Sequence, residues 1–302
     1  MRFIDFGHIQ RIARREQLDA LREALRELER IHDDAERRKY IDGHAPAWSA
    51  LRYALWTIGG CKCWYSEAHL EADAGEVEHY RPKKQVWGSR PPHGGYWWRA
   101  FDLTNLRLAH PLVNKRRPDY STEQKAGKGC YFPLRHEENR AMDPASEARE
   151  EPVLLDPVIA GDCRLLCFDS SSGAPVPRFT EEQDEWLHRR ALDSIGYYHL
   201  DEGTWNYKRF ELMCEVRILC DDILKAARDE EWDRFDSMLD ELEHHMSYFA
   251  EFSSAAIQAV REKGLLESLR PLPGAGRLAL RAIAQLPVVD SLPPEGDAEL
   301  PR

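Results

Sequence analysis

Gly75-Glu-Val-Glu-His-Tyr-Arg-Pro-Lys83 and Asn105-Leu-Arg-Leu-Ala-His-Pro-Leu-Val-Asn-Lys-Arg-Arg117 are the two stretches whose reading decides the fold. In the first, Glu76, Glu78 and Tyr80 alternate with Val77 and His79, the two-residue period of a short strand. Such a strand presents one carboxylate and one imidazole at its end. The carboxylate can hold a hard divalent cation and the imidazole can take a proton from water near neutral pH, which together suit phosphodiester hydrolysis. Taken alone, Glu78-His79 reads first as an ordinary surface pair.

The second stretch begins 26 residues beyond His79. Leu106 and Leu108 alternate as in a strand, and Pro111 suits the first position of a helix, where its missing N–H costs nothing. The helix expected there is short and carries Asn114, Lys115, Arg116 and Arg117, because Pro118 and Tyr120 oppose a longer one. Strand, long loop, strand and short helix make a ββα-metal arrangement, with His79, Asn105 and Asn114 in the order His, Asn, Asn.

Outward from these stretches the chain becomes helical. Leu18, Leu21, Leu25 and Leu28 predict an amphipathic helix over 15–38, and Trp48, Leu51 and Leu55 a shorter one ending at Gly59-Gly60. From Glu181 the period returns. Leu212, Val216, Leu219 and Ile223 mark one helix, and Phe235, Leu239, Leu242, Met246 and Phe249 the next, with the acids Asp229-Glu-Glu231 at its start. The expected class is therefore α+β and mostly helical. It comprises an N-terminal helical segment (1–60), a ββα-metal core (61–160), a C-terminal helical domain (161–286) and a flexible tail (287–302).

The 302 residues are 42% hydrophobic and 31% charged, an ordinary globular balance. No apolar run reaches the roughly 18 residues of a membrane span, and the N-terminus lacks a signal-peptide pattern, so a cytoplasmic protein is expected. Seven scattered cysteines make no disulfide scaffold, and Cys214 and Cys220 read as small buried residues. The net charge of −11 opposes indiscriminate polyanion binding, yet it is unevenly spread. From Glu78 to Arg117 lie nine Lys or Arg (81, 83, 84, 90, 99, 107, 115, 116, 117) and two acids, a focused basic site or a solvated face. Trp97-Trp98 could stack on bases, but a core role is the first reading.

The chain resembles the HNH endonuclease subunit of Septu-type and retron-linked anti-phage systems, the PtuB-like group. The resemblance rests on Lys62-Cys-Trp-Tyr-Ser-Glu67, Glu76-Val-Glu-His-Tyr-Arg-Pro-Lys83, Tyr96-Trp-Trp98, Asn105-Leu-Arg-Leu108, Asn114, Phe132-Pro-Leu134 and Glu151-Pro-Val-Leu-Leu-Asp-Pro157, in the family's order over about a third of the chain. It implies His79 as general base and Asn105 as the loop-bracing middle position. Glu78 and Asn114 would be ligands of one Mg²⁺ or Mn²⁺, with Arg81, Lys83, Lys115, Arg116 and Arg117 on phosphates. The implied substrate is DNA and the implied partner an ABC/SMC-like ATPase, for which the acidic helices beyond residue 180 offer a surface. The chain departs from the family at its zinc knuckle. Ser66 and Val113 stand where cysteines are expected, so that only Cys63 and His110 could bind metal and a four-ligand zinc site is not expected. Two other readings stay open, an RNA-cleaving toxin and a catalytically silent nucleic-acid-binding or scaffolding subunit.

Overall fold

The computed structural model describes residues 1–118 and 125–265; the expected tail at 287–302, and the end of the expected C-terminal domain, lie outside them. The protein is α+β and mostly helical, with three two-stranded antiparallel sheets among the described residues. The helices are α1 (Ile9–Ile12), α2 (Arg15–Glu29), α3 (Asp34–Gly43), α4 (Ala45–Ser49), α5 (Arg52–Ile58), α6 (Pro111–Asn114), α7 (Ala160–Cys163), α8 (Glu185–Tyr197), α9 (Gly203–Arg228), α10 (Trp232–Met246) and α11 (Ser253–Glu262). The strands are β1 (Glu76–His79), β2 (Leu106–Ala109), β3 (Arg117–Pro118), β4 (Lys125–Ala126), β5 (Leu166–Phe168) and β6 (Pro175–Pro177).

The helix expected over 15–38 is two. Leu18, Leu21 and Leu28 bury one face of α2, but the chain turns after Glu29. Asp33 then caps α3, its carboxylate accepting from the Glu36 N–H at 2.9 Å. The local capping interaction satisfies a backbone donor that a continuous helix would not expose. The second expected helix is likewise split, into α4 and α5, and its end at Gly59-Gly60 agrees with the sequence reading.

In the C-terminal part, α9 packs against both α10 and α11. Val216, Leu219, Ile223, Phe235, Leu239 and Leu242 are all buried, as their spacing predicts. Phe249 is an exception, for α10 stops at Met246 and the ring is exposed. Within the acidic run, Asp229 closes α9 and only Glu231 sits at the start of α10.

β1 and β2 pair antiparallel, with Glu78 opposite Arg107 and His79 opposite Leu106. All four β2 residues are buried, and α4 and α5 pack on the pair. α6 follows at once, with Pro111 in its first turn and His110 Nδ1 accepting the Leu112 N–H at 3.1 Å. This helix is shorter than expected. It ends at Asn114, and Arg117 belongs to β3 rather than to the helix.

Candidate functional site

A cleft of about 440 Å³ opens where β1, α6 and the segment after β4 meet. Glu78, His79, Lys83, Asn114, Lys115 and Arg116 all line it, so sequence positions 36 apart reach one place. Neither Glu78 nor His79 is a surface residue; they are 3% and 5% exposed.

The His79 ring is held on both nitrogens. Nε2 lies 2.9 Å from the Ala100 carbonyl, and Nδ1 lies 3.1 Å from Lys83 Nζ. A carbonyl can only accept, so Nε2 carries the proton and Nδ1 keeps its lone pair toward the lysine. Burial, then the Lys83 ammonium, holds the imidazole well below its usual pKa. Burial also brings Lys83 down to about 8, against the opposing pull of Glu78. Trp48 sets an edge against the His79 ring and a face 4.8 Å under Lys83 Nζ.

Glu78 is held as closely. Its Oε2 accepts from the Tyr65 hydroxyl at 2.9 Å and its Oε1 from Lys128 Nζ at 2.5 Å. Burial and the Glu78 charge push the Tyr65 phenol well above its normal range, which keeps it a donor. Lys128 also donates to the His79 carbonyl, at 3.0 Å, and its side chain is 1% exposed. The segment that carries it is tied to α6 by hydrogen bonds from Lys128 N to the Val113 carbonyl and from Gly129 N to that of Asn114, both 2.8 Å. Gly127 permits this approach: its φ is +97°, and a Cβ there would lie 2.1 Å from the Lys115 carbonyl oxygen. Sequence reasoning passed over Lys128. The only signal is a lysine between two glycines, 50 residues from its partner.

Asn114 Nδ2 donates to Glu76 Oε2 at 2.9 Å, and Lys115 pairs with the other oxygen of that carboxylate. Asn114 Oδ1 is then left with no partner among the described residues. Carboxylate and amide oxygens are the donors that hard divalent cations take, so the set fits Mg²⁺ or Mn²⁺ in type. A cation on Glu78 would, however, compete with the Lys128 ammonium. Asn105 stands apart from the cleft. Its Oδ1 accepts from Arg81 N at 2.8 Å, and its Nδ2 donates to the carbonyls of Arg81 and Arg99 at 3.0 and 3.1 Å, tying the chain after β1 to the chain before β2.

The expected phosphate-binding cations divide. Arg81 is turned inward, with Nε 3.1 Å from the buried Glu150 carboxylate, and is not free to meet substrate. Arg99 and Arg107 are likewise committed, to Glu147 and Asp156. Lys83, Lys115 and Arg116 line the cleft, Arg116 with its guanidinium 4.7 Å over the Tyr131 ring. Arg117 does not line it. Trp98 is buried, its indole N–H on Glu147, and Trp97 is half-buried with Arg37 4.0 Å over one face of its ring; neither lines the Glu78–His79 cleft.

At the degenerate zinc positions, Cys63 is buried and its Sγ accepts from the His110 N–H at 3.2 Å. The His110 ring meets Trp205 of α9, T-shaped with centroids 5.2 Å apart. Trp64 meets Phe6, and Tyr65 meets Tyr198. Among the described residues, one cluster has three groups close enough to share a metal, Glu215, Glu241 and His245 on α9 and α10, and it does not line this cleft.

Compared with known proteins, the chain is similar to Septu protein PtuB of Bacillus mycoides (strain KBAB4), with 34% identity over 102 residues. That stretch is 32% of this chain and spans 30% of the length of PtuB. No family model matches the chain, and no solved structure does. No helix among the described residues is long and apolar enough to cross a membrane.

Proposed function

We propose that this protein is a divalent-metal-dependent endonuclease of the HNH type, cleaving phosphodiester bonds in DNA as the effector of a Septu-type anti-phage complex with an ABC/SMC-like ATPase. The observation that carries the reading is His79. Its Nε2–H is spent on the Ala100 carbonyl, and its Nδ1 lone pair is kept unprotonated by burial, in a cleft shared with Glu78 and Asn114. A neutral imidazole in a fixed tautomer is what general-base attack by water requires. The similarity to Septu protein PtuB supports the same assignment.

In this reading Nδ1 takes the proton of the attacking water once Lys83 swings from it to a phosphate oxygen. Asn105 holds the intervening loop, Lys83, Lys115 and Arg116 position the backbone of the substrate in the cleft, and Arg117 would meet it only outside the cleft. Glu78 and Asn114 Oδ1 would hold Mg²⁺ or Mn²⁺, which supplies charge stabilisation at the phosphate and the leaving oxygen. Structural zinc has no part in it, since Cys63 and His110 make only half of a tetrahedral set. About one zinc per chain, retained through dialysis against chelator, would overturn that point.

One observation favours a second reading, a silent nucleic-acid-binding subunit: ammonium groups sit on both the base and the carboxylate. Incubation with plasmid DNA and with total RNA, in Mg²⁺ or Mn²⁺, with and without the partner ATPase, separates the two. Nicked or linear plasmid that disappears in Glu78→Gln supports the nuclease. Cleavage of RNA alone would move the substrate, and no cleavage under any condition would leave the binding subunit. Mn²⁺ titration followed by electron paramagnetic resonance tests the ligands independently, since Lys128→Met should tighten Mn²⁺ binding and Glu78→Gln should weaken it.

A further inference from the structure

We infer that the surface of α3 continues the cleft as a track for the phosphate backbone of duplex DNA, with Arg38 and Lys84 as its contacts beyond the 78–83 and 114–117 segments. A second cavity, of about 190 Å³, has four cations in its lining, Arg37 and Arg38 of α3 with Lys83 and Lys84, against one acid, Asp34, and beside Trp97 and Trp98. These two lysines also line the Glu78–His79 cleft, so the two depressions share a wall and one basic path crosses both. A third, adjoining depression again has Arg38 and Lys84 in its lining. In a chain of net charge −11, such a concentration of cations marks a region where a polyanion is attracted rather than repelled.

The partners of these cations leave them free to exchange. Arg38 is exposed and has no ion pair among the described residues. Lys84 pairs with Asp42 at 2.5 Å, but that carboxylate is 62% exposed, and surface pairs of this kind are worth little against a phosphate. Arg37 is different. It is fastened to the Ile31 carbonyl at 2.6 Å and laid over Trp97, so it shapes the wall instead of reaching out. That arrangement decides the ligand. Single strands are gripped by aromatic faces on which bases stack; here Trp97 and Trp98 line the cavity, but Trp97 carries the Arg37 guanidinium 4.0 Å over its ring and Trp98 is 7% exposed. Trp87, 38% exposed at the cleft, is a single aromatic beside several cations, a balance that suits a duplex backbone read without regard to sequence better than a row of stacked bases. Gly95 keeps Lys84 in place: a Cβ there would lie 2.3 Å from the Lys84 backbone.

The inference rests on the nucleic-acid reading but not on cleavage, and the test separates them. Binding is measured by fluorescence anisotropy in EDTA, where nothing is cut, on duplex DNA of two unrelated sequences, oligo-dT and duplex RNA. Arg38→Gln with Lys84→Gln should weaken duplex DNA binding roughly tenfold and equally for both sequences, and flatten the slope of log K against log salt by about 1.8, near 0.9 per lost phosphate contact. Oligo-dT should bind more weakly throughout. Circular dichroism and thermal melting of the same variant show whether the fold is kept, and single Arg38→Gln, on an exposed side chain, should give about half the slope change. Unaltered affinity and slope for duplex DNA in the folded variants would overturn the track. So would failure of the parent protein to bind duplex DNA, a loss confined to oligo-dT or duplex RNA, or a loss confined to one sequence. If the track binds as expected while plasmid stays uncut in Mg²⁺, the nuclease assignment falls and this inference stands.

Discussion

From Lys62 to Asp156 polar groups are set into the apolar interior: Glu67, Glu78, His79, His93, Asn105, Arg107, Lys128, Glu147, Glu150 and Asp156 are all buried among residues such as Trp64, Tyr96, Leu108 and Phe132. From α9 to α11 it is built on Val216, Leu219, Ile223, Phe235, Leu239, Leu242, Ala255, Ala256 and Ala259. The helices satisfy their own backbone and ask only for apolar volume between them. The irregular region has short strands, isolated bridges and single turns in place of long helices, and side chains add to its backbone pairing. Glu150 alone holds Arg81, Tyr96 and the Ala141 N–H. Apolar packing tolerates exchange of one shape for a similar one, whereas a buried hydrogen-bonded charge admits one arrangement. The cleft lies in the region that admits one arrangement, as a site that must hold atoms to a fraction of an ångström requires.

The largest expected effect tests that contrast directly. Arg107 meets Asp156 through two 2.7 Å hydrogen bonds, both side chains being almost fully buried. Asp156→Asn keeps the shape but leaves the guanidinium uncompensated, and should cost about 3–5 kcal/mol by denaturant titration. Leu239→Met, equally buried in the bundle, should cost less than about 1.5 kcal/mol. Equal costs would mean that the two regions do not differ in kind.

Next comes His79. His79→Ala should lower cleavage by ~10²-fold or more, the lower end for a lost general base, equivalent to about 2.7 kcal/mol. It should also cost about 1–3 kcal/mol of stability by orphaning the Ala100 carbonyl. Because the folded pKa is depressed, the imidazole stays neutral as pH falls below its usual value near 6.5, so cleavage should not fade there as it would with an exposed histidine. Comparable activity in the folded variant would remove His79 from the mechanism.

Glu67 joins the two regions. Its carboxylate meets the Met1 ammonium at 2.7 Å and accepts from the Ser254 N–H and the Ser253 hydroxyl of α11. Burial alone would raise its pKa, but the Met1 ammonium, Lys62 and the hydrogen bond from the Ser254 hydroxyl outweigh it and bring the carboxyl to about 2. With the folded value below the unfolded one, the stabilisation is complete above about pH 4.5 and is lost as pH falls toward 2. Glu67→Gln should therefore cost about 3 kcal/mol at pH 7, and the gap from the parent should close near pH 2. A gap independent of pH would show that packing, not charge, makes the junction.

How much of this was legible follows from the same contrast. Helices with one apolar face write their period into neighbouring positions, so Val216, Leu219 and Ile223 are readable without the fold. The strand alternation at 76–80 and Pro111 after β2 are local as well, and they bring Glu78, His79 and Asn114 to one cleft. Polar networks leave no period. Tyr65 and Lys128 reach Glu78 from 13 and 50 residues away, and Arg81, which reads as a surface cation, turns to Glu150 across 69. Nor could spacing show that His110 would meet Trp205 of a distant helix.

The smallest effect concerns the helix that the period misjudged. The apolar spacing of α2 continues weakly past Glu29, and only a capping carboxylate decides that the chain starts afresh. Asp33 Oδ1 accepts the Glu36 N–H at 2.9 Å, and Asp34 and Glu36 add negative charge at the positive end of α3. All three are exposed, so water can replace part of what is lost. Asp33→Ala should therefore cost only about 1 kcal/mol, and Asp33→Ser should restore most of it, since a hydroxyl can accept the same N–H. The consequence reaches the basic track, because α3 holds Arg37 against Trp97 and presents Arg38 beside Lys84. Amide exchange at Glu36 and Arg37 should accelerate in Asp33→Ala while the amides of α9 keep their protection. If Asp33→Ala is neutral and those amides exchange as before, the cap does not govern the break. The turn at 30–33 would then be held by the packing of Ile41 and Tyr40 on the core.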